Sequence, residues 1–153
     1  MKTLIVYASK YGCTADCAAY LQTKLQGDVT LHDINKGTIE PSGFDTIIIG
    51  GSVYLSKVAK NLRMFCEENL DVLLKKRVGI FLCCALVGEA GEFLAGNFPA
   101  ALLGSAVVIK TFGSDARLGN MKFFDKLIIK AVGDFSKFKI SYDSMDDFVR
   151  EIG

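Results

Sequence analysis

Five short apolar runs, each followed by turn residues, alternate along the chain with segments in which apolar residues recur at helical spacing. The runs cover residues 3–8, 29–34, 46–49, 78–84 and 106–112. Strands that alternate with helices predict a parallel sheet covered on both faces, and right-handed crossovers limit its topology to a few arrangements. We therefore predict an α/β fold, a doubly wound five-stranded parallel sheet with strand order 2-1-3-4-5.

Helices are predicted between and after these runs, because apolar residues there recur at spacings of three and four. The first helix is expected to close at Gly27, and a short helix over 89–95 is expected to stop before Pro99. Asp143 or Ser144 is the expected N-cap of the last helix. The residues predicted to share one face of each helix are Thr14, Ala18, Leu21 and Leu25; Val58, Leu62, Phe65 and Cys66; Phe123, Phe124, Leu127, Ile128 and Ala131; and Met145, Phe148, Val149 and Ile152.

Length and composition restrict the class of protein. The 153 residues contain no repeat or linker, so we expect a single domain over 1–153. A net charge of +1 gives no broad electrostatic reason to expect nucleic-acid binding. The apolar run at 4–8 is too short for a signal peptide, and no run approaches the roughly 20 apolar residues of a membrane span, so a cytoplasmic location is expected.

The cysteines predict packing rather than metal chemistry. They are Cys13, Cys17, Cys66, Cys83 and Cys84. Their number is odd, no CxxC occurs, and His32 is the sole histidine, so a zinc site is not expected. Free cysteine is usually buried, and we expect small, reduced thiols in the core.

The loop after strand one, S-K-Y-G-C-T at 9–14, leads directly into a helix. The first N–H groups of a helix have no partner within it and form a positive end, which suits a phosphate. Gly12 permits a positive φ, and Ser9 and Thr14 can donate hydroxyl hydrogen bonds. Two interpretations stay open from this loop alone: a phosphate site, or an ordinary turn that Thr14 merely caps.

Other anion sites lack their residues in this chain. It contains neither G-x-x-x-x-G-K-[ST] nor G-x-G-x-x-G. A Cys-x5-Arg phosphatase loop beginning at Cys13 would need arginine where Ala19 stands. A receiver domain, which shares the strand order, would need an aspartate at the end of strand three, where Gly50 and Gly51 stand.

Three segments in order carry a family resemblance: S-K-Y-G-C-T, then I-I-I-G-G-S-V-Y, then F-G-S-D-A-R-L-G-N-M-K-F-F-D-K-L-I-I-K. Together they resemble the flavodoxin family, in particular the flavodoxin-domain branch that includes the menaquinone-dependent protoporphyrinogen dehydrogenases of bacteria. The resemblance covers essentially the whole chain. It implies a flavodoxin-like fold that binds flavin mononucleotide (FMN) non-covalently.

The resemblance also implies which residues hold the cofactor. The FMN phosphate would be held by Ser9, Lys10, Tyr11, Gly12, Cys13 and Thr14. The ribityl chain and one face of the isoalloxazine ring would be lined by Ser52, Val53, Tyr54 and Leu55. The other side would be approached by Cys84, Ala85, Leu86, Val87 and Gly88. The chain has no Trp, so stacking must come from Tyr or Phe, with Tyr54 first and Tyr11 second.

No catalytic acid or base stands out, because Asp16, Glu89 and Glu92 are predicted as solvated helix residues. This suits flavin chemistry, in which the cofactor carries the electron or hydride. The resemblance implies electron transfer or a small flavin-dependent oxidoreduction with a redox partner protein or a quinone. Alternatives are a protoporphyrinogen IX dehydrogenase using a quinone acceptor, although the stretch 85–105 is shorter than in porphyrin-oxidising members, and a non-catalytic flavin-binding module.

A basic amphipathic helix leaves one further alternative open. Lys122, Lys126 and Lys130 recur every four residues beside the apolar face of Phe123 and Leu127. Such a helix either packs its apolar face into the core or makes a peripheral contact with an anionic membrane. A quinone-linked enzyme must meet the membrane, which is why the second alternative matters.

Overall fold

Five parallel strands form one sheet in the order β2-β1-β3-β4-β5. The computed structural model describes residues 1–54, 56–84, 89–113 and 140–153. The strands are β1 (Lys2–Ala8), β2 (Asp28–Asp33), β3 (Thr46–Ser52), β4 (Arg77–Cys83) and β5 (Val108–Thr111). The predicted fold class and strand order are confirmed, and each apolar run coincides with a strand to within a few residues at either end.

Helices cover both faces of the sheet. They are α1 (Cys13–Lys24), α2 (Lys60–Glu68), α3 (Leu70–Leu73), α4 (Ala90–Asn97), α5 (Ala100–Ser105) and α6 (Tyr142–Ile152), with 3-10 turns at Ile34–Lys36 and Pro41–Gly43. The helix predicted around 123–131, with its lysines, lies outside the described residues. None of the helices in the described ranges combines the length and hydropathy that a membrane crossing requires.

Two helix ends differ from the sequence prediction, and a third agrees with it. α1 ends at Lys24 and its C-cap Leu25 is extended, so Gly27, with φ 89°, shapes the turn into β2 instead of closing the helix. α4 runs to Asn97 and stops before Pro99, as expected. The N-cap of α6 is neither Asp143 nor Ser144 but Ser141, whose Oγ accepts a hydrogen bond from the Ser144 N–H at 3.2 Å.

The core has two halves, one on each face of the sheet. Ile47 and Ile49 of β3 pack beneath α2 and its neighbours, whereas Ile48 between them packs against α1 and α6, and all three are fully buried. A strand buried on both faces has no solvated side, so its apolar run is continuous rather than alternating. This is the physical basis of the pattern from which the parallel sheet was predicted.

An aromatic cluster fills the half of the core beneath α1 and α6. The rings of Phe81 and Phe112 stack with centroids 4.7 Å apart. Phe148 of α6 meets both rings edge-on, at 6.1 Å from Phe81 and 5.6 Å from Phe112. The contacts among these three rings pack α6 against β4 and the end of β5.

The buried thiol of Cys66 predicts a loss of stability at alkaline pH. Burial raises the pKa of Cys66 from its ordinary 9.0 to about 12. Between these two values the unfolded chain binds fewer protons than the folded one, so stability falls as pH rises. The free energy of unfolding from urea titrations should drop by up to about 1.4 kcal/mol per pH unit for this thiol. Cys66→Ala should show a shallower slope over pH 9–12, and an identical slope in the two proteins would contradict this account.

Candidate functional site

The loops that follow β1 and β3 meet where the strand order reverses. β1 lies between β2 and β3, and the ends of β1 and β3 are in register, with Ala8 opposite Gly51. α1 leaves β1 over one face of the sheet, and the helix after β3 covers the other face. The chain therefore opens a crevice at the carboxyl ends of these two strands, the place where open α/β sheets bind ligands.

The β1–α1 loop forms a tight turn around Gly12. Gly12 is the N-cap of α1 with φ 98°, a left-handed conformation, and no side chain caps the helix there. Its N–H donates to Ser9 Oγ at 3.0 Å, and its carbonyl accepts the Asp16 N–H at 3.0 Å. The serine hydroxyl thus organises the turn as an acceptor, and the positive end of α1 opens directly onto it.

Thr14 connects the first loop to the end of β3. Its hydroxyl shares a hydrogen bond with the hydroxyl of Ser52, and its side chain is fully buried. Because Gly12 occupies the N-cap position and no side chain caps the helix there, Thr14 does not have the capping role that the ordinary-turn interpretation gave it. The structure brings together two segments that the sequence predicted as one site.

A buried asparagine holds the loop after β3. Tyr54 and Lys57 exchange backbone hydrogen bonds of 2.9 and 3.0 Å around Ser56, whose φ is 64°. Asn97 of α4, only 5% exposed, accepts the Val58 N–H at 2.9 Å and donates to the Ser56 carbonyl at 3.0 Å. Asn97 therefore fixes the position from which Tyr54 projects. The sequence prediction missed this residue, and its sole signal was a polar residue ending an apolar helix.

Two tyrosines and a lysine lie close together at the crevice. The Lys10 ammonium is 3.4 Å from the centroid of the Tyr54 ring and 5.3 Å from that of Tyr11. The Tyr11 hydroxyl is buried and has no hydrogen-bond partner within the part of the chain that the structure describes. A buried hydroxyl without a partner is costly, so a polar ligand beside it is favoured.

A cleft of about 410 Å³ beside these residues carries four cationic side chains. Its lining includes Ser9, Lys10, Ser52 and Tyr54 of the predicted site, together with Asn35, Lys57, Lys60 and Arg63. No carboxylate is among its lining residues within the described ranges. A cleft of one charge sign concentrates ions of the other sign, so this cleft favours anions. The sequence prediction did not include Lys57, Lys60 and Arg63. Their recurrence at every third residue, directly after the strand-three loop, was a signal that could have indicated a basic surface there.

The end of β4 completes the described part of the site. The Val53 N–H donates to the Cys83 carbonyl at 3.1 Å, and the Cys84 N–H donates to the Gly113 carbonyl at 2.9 Å. Cys84 is buried against the α2 side of the sheet. Leu55 and Ala85, Leu86, Val87 and Gly88, also predicted for the site, lie outside the described residues. Asp16, Glu89 and Glu92 are exposed, as expected.

Comparison with known families decides the classification. A family model described as a flavodoxin domain matches residues 4–141. The chain belongs to the flavodoxin-domain family. No protein with a curated description matches the sequence.

Solved structures of two flavodoxins and one flavoprotein share the fold. An oxidised flavodoxin 1 from Bacillus cereus is 16% identical with a TM-score of 0.57, and the match covers 100% of both chains. A flavoprotein in complex with FMN from Lactobacillus acidophilus is 16% identical with a TM-score of 0.57, covering 72% of this chain and 92% of that one. A Fusobacterium nucleatum flavodoxin mutant bound to flavin mononucleotide is 12% identical with a TM-score of 0.55, covering 99% and 94%.

Proposed function

We propose that this flavodoxin-domain protein binds FMN non-covalently at the carboxyl edge of its sheet and works as a redox protein. The observation that carries the proposal is the Gly12 turn, which opens the positive end of α1 beside Ser9 and Thr14. The flavoprotein from L. acidophilus and the flavodoxin from F. nucleatum, which share the fold, are themselves bound to FMN. Bound FMN would supply the chemistry of electron or hydride transfer.

The proposal gives each predicted residue a role. Ser9, Lys10, Tyr11, Gly12, Cys13 and Thr14 hold the phosphate, through backbone N–H groups, hydroxyls and the Lys10 ammonium. The buried Tyr11 hydroxyl gains the polar partner that it lacks among the described residues. Tyr54 offers a ring face, now covered by Lys10, to the isoalloxazine ring. Ser52, Val53, Leu55 and Cys84, Ala85, Leu86, Val87 and Gly88 line the remainder.

Titration of the apoprotein with FMN tests this assignment. Flavin fluorescence should be quenched on binding, with one FMN per chain. Riboflavin, which has the same ring and no phosphate, is the matched control and should bind far more weakly. Equal affinity for the two flavins would contradict the phosphate role of the Gly12 turn, and no quenching by either would contradict flavin binding altogether.

The redox partner or substrate of this site is proposed to be anionic. Lys57, Lys60 and Arg63 border the cleft beside Tyr54, and Lys10 adds a fourth cation. Electron transfer proteins meet through complementary charge, which raises the association rate. A basic rim therefore selects acidic protein surfaces or small carboxylate and phosphate compounds over cationic ones.

Removing two of these cations should slow electron transfer to anions. We expect the Lys57→Gln/Lys60→Gln variant to reduce ferricyanide about tenfold more slowly at low ionic strength, with a weaker salt dependence. Electron transfer to the cationic hexaammineruthenium(III) should not slow. Lys75→Gln, an exposed lysine in the segment before β4, is the matched control and should behave as the parent protein in stopped-flow traces. An equal effect of both variants would refute a local role for the cleft.

A second candidate function is the quinone-linked protoporphyrinogen dehydrogenase. The basic cleft favours it, because porphyrinogens carry carboxylates, and so does the sequence resemblance. The short stretch 85–105 argues for the more general redox role. Oxidation of protoporphyrinogen by the FMN-loaded protein with a quinone analogue, measured by porphyrin fluorescence, separates the two. Stronger binding to anionic than to neutral vesicles would support the membrane contact proposed for Lys122, Lys126 and Lys130.

A further inference from the structure

Three cysteine sulfurs converge in the core directly beneath the Gly12 turn. Cys13 is the first residue of α1, Cys17 follows one turn later, and Cys83 is the last residue of β4. All three Sγ atoms lie within 4.8 Å of one another, and those of Cys17 and Cys83 are 3.7 Å apart. The residues are 7%, 2% and 2% exposed.

The arrangement follows from the fold and not from a local motif. Residues at i and i+4 lie on the same face of a helix, which brings the Cys13 and Cys17 side chains together. α1 packs on the face of the sheet toward which Cys83 points. Cys66 and Cys84 belong to the opposite half of the core, so the cluster is a subset of the thiols.

We propose that Cys13, Cys17 and Cys83 form a three-sulfur binding site for one soft ion that takes three thiolate ligands, such as copper(I) or arsenic(III). Thiolates select soft ions. Metal–sulfur bonds of about 2.3 Å place three sulfurs about 4 Å apart around a trigonal planar centre such as copper(I). In the structure the Cys17 and Cys83 sulfurs are 3.7 Å apart, and no pair in the cluster is separated by more than 4.8 Å. Zinc favours four ligands, and the cluster that the described residues form contains three cysteines with no histidine or carboxylate.

The cluster is buried, which favours an ion that leaves little charge in the core, because burying a charge is costly. Arsenous acid suits it, because three S–H and three As–O bonds break while three As–S and three O–H bonds form. Three waters leave, arsenic stays trivalent, and no charge is buried.

Copper(I) must instead displace thiol protons into solvent, so its affinity should rise with pH. Two of the three cysteines, Cys13 and Cys17, also line a cleft of about 360 Å³ together with Asp16 and Tyr142. The site stands independently of the FMN proposal, although Cys13 belongs to both.

The test uses the reduced chain of 153 residues and two probes, arsenite and copper(I). Native mass spectrometry should show one ion per chain, and ultraviolet spectra should show a sulfur-to-metal charge-transfer band. Cys17→Ala and Cys83→Ala should each weaken binding at least 100-fold, measured for copper(I) by competition with a chromophoric chelator. Cys66→Ala, a buried cysteine from the other half of the core, is the matched control and should bind as the parent does.

Several outcomes would overturn the site. Binding of either probe that is unchanged in folded Cys17→Ala would place the ion elsewhere, and so would equal losses in Cys66→Ala. Preferential capture of zinc(II) would contradict a three-coordinate site. The reduced protein could also bind neither probe, while mild peroxide removes one hydrogen from each of Cys17 and Cys83 and joins them in a disulfide. That result would overturn the ion site and assign the two cysteines to a redox-active pair. Cys17→Ser, which keeps the branching of the side chain and replaces its sulfur with oxygen, takes the place of the alanine variant if that variant fails to fold, as judged by circular dichroism.

Discussion

Replacing Gly12 with valine is expected to lower the affinity for FMN by about 5- to 150-fold, the equivalent of about 1–3 kcal/mol of backbone strain. Gly12 has φ 98°, which a β-branched residue adopts only with strain. The valine variant should relax this turn and rotate the Gly12 N–H away from Ser9, so FMN would have to restore the strained form on binding. Fluorescence titration of apo Gly12→Val with FMN measures the loss, and the far-ultraviolet spectrum should remain that of the parent because the turn lies outside the core.

Gly37→Val provides the matched control. Gly37 also has a positive φ, of 134°, and a side chain there would meet no atom within 4 Å. Valine at position 37 should therefore create similar backbone strain after β2 without a contact to the Gly12 turn. We expect a stability loss with unchanged FMN affinity. If folded Gly12→Val binds FMN as tightly as the parent, Gly12 does not belong to the phosphate site.

The fold could be predicted because its signal is local and repeated. Three consecutive isoleucines, Ile47 to Ile49, alternate between two buried faces, and this by itself excludes a half-exposed strand. The cap of α6 could not be chosen in the same way, because Ser141, Asp143 and Ser144 are all good cap residues. Hydrogen bonds to the residues at the end of β5 select Ser141 as the cap. The Ser141 N–H donates to the Phe112 carbonyl at 2.8 Å, and Ser144 Oγ donates to the Thr111 carbonyl at 2.9 Å.

In the candidate site too, features encoded by neighbouring residues could be predicted, and contacts between residues far apart in the sequence could not. The Gly12 turn was predictable because a glycine, two hydroxyl residues and a helix start fall within six positions of the sequence. Asn97 was not, since the loop residue that it holds, Val58, is 39 positions away. The three-sulfur cluster joins Cys17 to Cys83 across 66 positions. No periodicity or motif spacing encodes contacts at that separation, which arise from the crossovers that place α1 over β4.

Adding one methyl group at Gly50 is expected to destabilise the protein by about 1–3 kcal/mol, because it overpacks a filled core. A Cβ at Gly50 would lie 2.1 Å from Cζ of Phe81. That ring cannot retreat: it is fully buried, stacked on Phe112 at 4.7 Å and met edge-on by Phe148. At about 2–4 °C per kcal/mol for a chain of this size, the midpoint of thermal unfolding of Gly50→Ala should fall by about 2–12 °C.

The cost at Gly50 is attributed to the Phe81 ring, and two further variants test that attribution. Gly104→Ala, in α5 with open space at its Cβ, should be neutral or stabilising by up to about 1 kcal/mol, because alanine favours a helix over glycine. Phe81→Leu shortens the ring toward Gly50, so Gly50→Ala should cost less in that background than in the parent. If the double variant loses less stability than the sum of the two single losses, glycine is required at position 50 because of packing against Phe81 and not because of backbone freedom. Additive losses would instead show that the methyl group strains β3 itself, immediately before the residues that form the crevice.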